Sequence, residues 1–428
     1  MVNKKEINKS FTEIGLLEKY YESKPIALAV SGGPDSTALM FLISKSKKIK
    51  KNDVTILTVD HALRKESKSE VDLVKSNAKR IGFKCKILKW NGVKPSSGIQ
   101  EAARKARYSL MLSWCEKNSV NKLFLAHHLD DQVETFLMRL SKGSGVDGLS
   151  SMSNITINSS ISLIRPFLEI PKNKLIVIAD SSKMKWISDP SNLNSSYQRS
   201  RMRKLLPIFS EEGIDPHHIN LVIKRMNSAK EALNEIVNAN IDKYVKNMND
   251  ISYSLSYESF NKLSPEILLR ILERLIMISS GSIYPPRRSK LEKIHSWLIK
   301  ENEVSAKTLS GTVIRKRKDY VIFYRELKNC ESSLNIFPIT SRYLSWDNRF
   351  YLKLGKSKKL EVRSLGNDGV RIMKSKKLLK KNGMNNIPLS AWKAAPSLWS
   401  KKRLISVPSL SYYALDDIKV YIKSTRKP

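Results

Sequence analysis

The chain has 428 residues, 41% of them hydrophobic, and 77 basic against 40 acidic side chains give a formal charge of +37. That length exceeds one ordinary domain, the apolar content excludes wholesale disorder, and the charge points to a polyanionic partner, nucleic acid first, against the plainer alternative of a lysine-biased composition. Three cysteines far apart in sequence, Cys85, Cys115 and Cys330, exclude a disulfide framework or a CxxC metal site and suit a reducing cytoplasm, while "MVNKKEINKSF" lacks a signal-peptide core and no apolar run reaches the ~20 residues of a membrane span.

The first 180 residues alternate two patterns. "IALAV" (26–30), "VTILTV" (54–59), "KCKIL" (84–88) and "KLFLA" (122–126) read as buried strands. Helical patterns fall between them near 36–46, 68–81, 99–117 and 130–140. Strand–helix repetition of this kind predicts an α/β fold with a doubly wound parallel sheet. After Pro171 comes one more helix, then the polar stretch "SDPSNLNSSYQRSRMRKLLP". Residues 217–297 read as helical with little strand signal, and 307–326 as short strands around turns. The tail from about Asn348 is strongly basic; "FYLKLG" and "KLEVRSL" followed by scattered helix predict a small α+β domain. The expected division is 1–210, a nucleotide-binding catalytic domain; 211–330, a mainly helical domain; and 345–428, a basic C-terminal domain.

Between the first strand and the first helix stands "SGGPDS", Ser31, Gly32, Gly33, Pro34, Asp35 and Ser36. Amide groups near a helix N-terminus attract anions, glycines let backbone approach a phosphate, and proline suits the first helical turn. Ser31 and Ser36 add hydroxyls. The loop suits a pyrophosphate or triphosphate, although an ordinary tight turn is the bland reading. It is neither a Walker A loop nor GxGxxG. Asp35 beside phosphates calls for a cation, naturally Mg²⁺.

Other polar clusters also follow strands. Asp60 and His61 lie in "VDHALRKES", and His127, His128, Asp130, Asp131 and Glu134 in "AHHLDDQVET". Carboxyl ends of parallel strands share one edge, where ligands bind at the switch point, so these clusters converge. For His61, His127 or His128 taken singly a core histidine is the competing reading, and it weakens because all three fall at strand ends. In "QEAARKARY", Glu101, Arg104 and Tyr108 share a helical face with Arg107 close by, which a salt-bridged surface helix also explains. Asp130, Asp131 and Glu134 at a helix start also complement the helix dipole.

Together "SGGPDS", "DHALRKES", "EAARKARY" and "AHHLDDQVET" resemble the PP-loop (N-type ATP pyrophosphatase) superfamily. With "GSGVDGL", "RPFLEIPK" and "DPSNLNSSYQRSRMR", and later "YPPRR", "TLSGTVIRKR", "KKLLKKNGMNNIP" and "RLISVPSL", the chain resembles the tRNA(Ile)-lysidine synthetase family within it. The resemblance implies ATP and Mg²⁺ as cofactors. It implies adenylation of the C2 oxygen of the wobble cytidine in tRNA(Ile) with a CAU anticodon, then attack by the ε-amine of free L-lysine. Ser31 to Ser36 would cradle pyrophosphate, Asp35 and Asp131 would hold the metal, and Asp60 and His61 would border the nucleotide. Arg104 and Arg107 would contact ATP phosphates or the intermediate. His127 would hydrogen-bond the activated oxygen, and Asp130, Asp131 and Glu134 would bind lysine or metal. Arg165, Arg199, Arg201 and Arg203 would contact tRNA, with Tyr197 beside them and tail lysines such as Lys376, Lys377, Lys380 and Lys381 adding unspecific attraction.

Two other classes are weighed. A tRNA 2-thiocytidine synthetase needs paired cysteines or an iron–sulfur site, which these isolated cysteines do not supply. A non-catalytic tRNA-binding protein would not keep the clusters intact, and a small-molecule ligase would not need the basic tail.

Overall fold

The computed structural model describes residues 12–61, 67–92, 95, 97–158, 161–188, 198–300, 305–336, 344–354, 360–376, 378, 386–414 and 420–424. The stretches 62–66 and 189–197, with Tyr197, and the lysines Lys377, Lys380 and Lys381, lie outside them. Two compact units meet at 230/231.

In the first unit the expected strands form β1 (Ile26–Ala29), β2 (Val54–Asp60), β3 (Lys84–Lys89) and β4 (Lys122–Phe124). Between them run the helices α1 (Pro34–Lys45), α2 (Ser67–Ile81) and α3 (Ile99–Lys117), and α4 (Leu129–Leu140) follows β4. A hairpin, β5 (Ile155–Asn158) and β6 (Ile161–Ile164), completes a six-stranded sheet of order β3-β2-β1-β4-β6-β5, with only β5 antiparallel.

Strands buried on both faces explain their unbroken apolar runs. Ile26, Leu28, Ile56 and Phe124 pack into one core with α1, α2 and α5 (Lys172–Ser181), whereas Ala27, Leu57 and Leu123 pack into the other with Met111 and Cys115 of α3. That is the period-2 alternation of a strand, written across two cores. On α4, Leu129, Val133, Phe136 and Leu137 make a helical stripe packed on Met202, Leu206 and Phe209 of α6 (Gln198–Glu211) and on Ile219 and Ile223. Strand order reverses on either side of β1, so the switch point lies between β1 and β4.

The unit boundary falls within α7 (Pro216–Tyr244). The second unit holds β7 (Val245–Met248), β8 (Ser252–Ser256), α8 (Pro265–Ser280), α9 (Arg288–Lys300), β9 (Ala306–Leu309), β10 (Thr312–Lys316) and β11 (Tyr320–Arg325). Its first sheet is antiparallel, β7-β8-β11-β10-β9. The β7–β8 hairpin corrects the expectation of little strand before 297. It turns on Asn249 and Asp250, both at positive φ (55° and 59°), the conformation of a type I′ turn. "VKNM" carries no apolar alternation, so sequence pattern misses it.

After β12 (Leu334–Ile336), β13 (Leu344–Trp346), β14 (Phe350–Leu354) and β15 (Leu360–Ser364) come α10 (Gly366–Ser375), α11 (Leu389–Lys393), β16 (Pro396–Ser400), β17 (Arg403–Val407), β18 (Tyr412–Tyr413) and β19 (Val420–Ser424). The expected scattered helix is largely replaced by β16 to β19. "SLW" and "LIS" are buried throughout and so carry no strand alternation. Strand β11 serves two cores. Val321 and Phe323 pack with α8 and α9, Ile322 and Tyr324 with Trp346, Trp392 and Trp399.

A buried ion cluster fixes the turn before β14. Asp347 (4% exposed) accepts from Arg325 Nε and Nη2 at 3.1 and 2.7 Å and from Arg349 Nε at 2.7 Å. Arg349 is held between the rings of Trp346 and Phe350 and donates to the Ala394 carbonyl. Removing one partner of such a cluster strands the other charges in a low dielectric. Asp347→Ala is expected to cost about 3–5 kcal/mol, read from urea unfolding followed by tryptophan fluorescence. A loss of only about 0.5 kcal/mol, the size of a surface change, would contradict it.

Candidate active site

At the carboxyl edge of the parallel strands, in the first unit, lies a cavity of about 300 Å³. Its walls come from the ends of β1, β2 and β4, the loop before α1, and the faces of α2 and α3. Of the residues picked out in the sequence, Ser31, Gly33, Asp35, Ser36, His61, Arg107 and His127 line it. Tyr108, already placed on the same helical face as Arg104, lines it too, as do Thr58, Ser67, Glu70 and Met111, which the sequence pattern does not point out.

The glycine loop is held before any ligand arrives. Val30 N–H donates to the Leu57 carbonyl, extending the sheet to the loop's first turn. Gly32 adopts φ +89°, and a side-chain Cβ there would sit 3.0 Å from Ile187 Cδ1 and 3.3 Å from Val74 Cγ2. The Gly32 carbonyl in turn accepts from Ile187 N–H at 2.9 Å. The positive φ therefore favours glycine, and the tight neighbours add to that preference. Gly33 caps α1 and Pro34 occupies its first turn. Ser36 Oγ accepts the Ser31 N–H at 3.3 Å and donates to the Gly33 carbonyl at 3.1 Å, which closes the loop on itself.

Beside this loop, three carboxylates gather on one imidazole. His128, 3% exposed, holds Nε2 at 3.6 Å from Asp35 and 3.4 Å from Asp131, and Nδ1 at 3.6 Å from Asp130. Burial alone would lower its pKa, but the three carboxylates outweigh burial and push it up to about 10. Asp131 Oδ2 accepts the His128 N–H at 3.1 Å, and Asp130 Oδ2 accepts the Lys172 N–H at 2.9 Å, so both acids are tied to backbone. Burial opposes ionisation of Asp130, yet His128 and the Lys172 amide carry its pKa below the usual carboxylate range. Asp35 Oδ1 is buried without a hydrogen-bond partner.

His127 has the opposite environment. Burial first, then Arg165, Arg104 and Arg199, push its pKa down to about 3 against the pull of Asp131. Its Nδ1 is buried and unpartnered at the cavity wall. Arg107 is depressed by burial and by the like charges of Arg104 and Arg199, so guanidinium groups crowd this side. Arg104 lies 5.1 Å over the Tyr108 ring.

The remaining candidates are not among the residues that line the cavity. Glu134 is fully buried and receives Arg203 Nε and Nη2 on Oε1 at 2.9 and 2.6 Å. Burial raises its pKa despite that partner, and Oε2 is left unpaired. Arg165, 8% exposed, donates to the Ser153 carbonyl and Thr156 Oγ1, bracing the β5–β6 hairpin. Arg199 is half-buried and Arg201 exposed on α6. Asp60 accepts from Ser67 Oγ at 2.8 Å. His128 is the member that sequence alone did not single out as a site residue. The double histidine was visible, but which ring turns inward is settled only by packing.

Two consecutive histidines thus hold different charge at neutral pH. Relative to an unfolded value of about 6.5, the lowered pKa of His127 withdraws stability as pH falls from that value toward 3. The raised pKa of His128 adds stability that is complete below about 6.5 and gone once pH passes about 10. In EDTA at pH 7.5, ¹⁵N-NMR is expected to show one of the pair neutral and the other doubly protonated, with His128→Gln removing the second signal. Finding both neutral would contradict the geometry.

The model of the PP-loop domain matches residues 3–208. The tRNA(Ile)-lysidine synthase of Wolbachia pipientis wMel is 33% identical over 434 residues, covering 99% of this chain and 98% of its own. That of Wolbachia sp. subsp. Brugia malayi (strain TRS) is 38% identical over 334 residues, 77% of each chain. That of Orientia tsutsugamushi (strain Boryong) is 32% identical over 421 residues, covering 96% and 94%.

Proposed function

The chain belongs to the tRNA(Ile)-lysidine synthase family, and from that premise we propose that it joins free L-lysine to C2 of the wobble cytidine of tRNA(Ile) with a CAU anticodon. ATP is consumed to AMP and pyrophosphate. The observation that carries this reading is the convergence, on one cavity, of a phosphate-sized glycine loop, a carboxylate cluster and a crowd of arginines.

In the first step the C2 oxygen of cytidine attacks the α-phosphorus of ATP, and the bond to the β-phosphate breaks. The amides and hydroxyls from Ser31 to Ser36 receive the pyrophosphate, and Arg104 and Arg107 contact phosphate or the adenylated base. Asp35 and Asp131 are the residues that would hold Mg²⁺. Asp35 Oδ1 is unpartnered and both carboxylates reach one imidazole nitrogen, and this donor set suits a cation that also takes substrate phosphates. When bound, Mg²⁺ neutralises charge building on the phosphates.

In the second step the lysine amine attacks C2, and the C2–O bond breaks to release AMP. A free ε-ammonium has a pKa of about 10.4, so it must lose a proton first. Asp130 and Asp131 are the carboxylates assigned to it; Glu134, fully buried, is taken by Arg203 instead. His127, held neutral, is able to hydrogen-bond the leaving oxygen without bringing charge to it.

Arg199 and Arg201 on α6 are assigned to the tRNA backbone. Arg203 already serves Glu134, and Arg165 braces the hairpin, so their effect on RNA would be through the shape of that surface. Among the described residues no helix is long and apolar enough to cross a membrane, which fits work on tRNA in the cytoplasm. Thiolation is disfavoured by the cysteines, because burial raises all three thiols and Cys115 is pushed up to about 12.

Labelled lysine is expected to enter tRNA(Ile) with CAU, with ATP and Mg²⁺, and not the methionine tRNAs. Asp35→Ala should cut incorporation on the order of 100-fold or more while tRNA affinity stays. No label in any tRNA would sink the assignment.

A further inference from the structure

The turn between α8 and α9 in the second unit displays two large side chains that a folded chain ordinarily hides. Tyr284 is 74% exposed and Ile283 beside it 54%. The turn is firmly built. Gly281 caps α8 at φ +69°, and a Cβ there would collide with the Asp347 carbonyl oxygen, so the turn rests on the buried ion cluster. Ser282 Oγ donates to the Tyr284 carbonyl at 2.7 Å and accepts the Tyr284 N–H at 3.3 Å. Pro285 and Pro286 follow with fixed φ, and Pro286 is buried.

The surroundings are basic. Arg288 is spent on Glu266 and Glu292. Arg287, Lys290 and Lys293 are exposed, spaced by three residues, while Leu291 and Ile294 of the same helix face the core. Three cations beside an exposed ring would repel a second copy of this chain and attract a polyanion. An aromatic face stacks on any unpaired base, and a rigid turn presents it at little entropic cost.

We propose that Tyr284, supported by Ile283, is a stacking platform for an unpaired base of the bound tRNA, with Arg287, Lys290 and Lys293 contacting the neighbouring phosphates. This rests on the tRNA reading above and adds to it a contact remote in sequence from the catalytic residues.

The test is filter binding of the tRNA(Ile) CAU transcript to the full chain, with heparin as a probe of charge alone. Tyr284→Ala is expected to weaken tRNA binding roughly 5- to 100-fold, Tyr284→Phe to bind like the unchanged chain, and heparin binding to hold in both. Arg287→Ala should lower the salt slope by roughly 0.7–0.9. An unchanged chain that binds no tRNA would remove the tRNA reading itself. Tight binding that Tyr284→Ala leaves intact would overturn this inference alone. So would an equal loss on heparin, a Phe variant as weak as Ala, or a dimer of the unchanged chain that Tyr284→Ala dissolves in sedimentation.

Discussion

The burial of one imidazole among three carboxylates ties the first unit's active edge together. His128 joins Asp35, from the loop after β1, to Asp130 and Asp131, from the helix after β4. Those two strands are neighbours across the switch point, so this contact spans the crevice where a ligand must sit. An imidazolium is the only cation that small, flat and pH-tuned that a chain can place there. It compensates one of the three negative charges. The two left over make the spot hospitable to a divalent cation or an ammonium group, and the proposed reaction brings both.

Across the same cavity the sign reverses. Arg104, Arg107, Arg165 and Arg199 crowd together closely enough to depress one another or His127. Like charges held this close are a cost to the free protein and an advantage once phosphate arrives, because the arrangement needs no reorganisation when charge develops. His127 stands where the two fields meet. It feels Asp131 from one side and the arginines from the other, and burial decides for the neutral form. A cavity polarised in this way orients a substrate that is anionic at one end and accepts an ammonium at the other.

Much of this was legible in residues. Buried parallel strands are apolar runs, so β1, β2, β3 and β4 begin at the residues the pattern gives and end within one or two of them, and the glycines, Asp35 and the "HH" and "DD" pairs follow them directly. Two things escaped for physical reasons. Strands buried throughout in the second unit, such as β16 and β17, have no alternation to read, and the β7–β8 hairpin has too few apolar residues. The division of labour between His127 and His128, and between Glu134 and the other acids, depends on which ring or carboxyl finds a buried partner. Glu134 shares a helical face with Asp130, yet in three dimensions it is consumed by Arg203, a residue 69 positions away.

The distribution of acids explains how so basic a chain folds and why its charge is available to a partner. Several carboxylates sit inside at 0–4% exposure: Glu13, Glu134 and Asp347. Each is matched there, to Lys174, to Arg203, or to Arg325 and Arg349. The first two pairs cancel and the Asp347 cluster encloses a single net positive charge, so burial takes up little of the +37 and most of the excess is carried on the outside. Surface lysines draw in any polyanion at long range and release counterions on contact, but they carry no sequence information. Discrimination among tRNAs must therefore come from short-range features that charge cannot imitate. The active-edge cavity and the proposed stacking ring are features of that kind, and both stand beside glycines at positive φ, Gly32 in the first unit and Gly281 in the second.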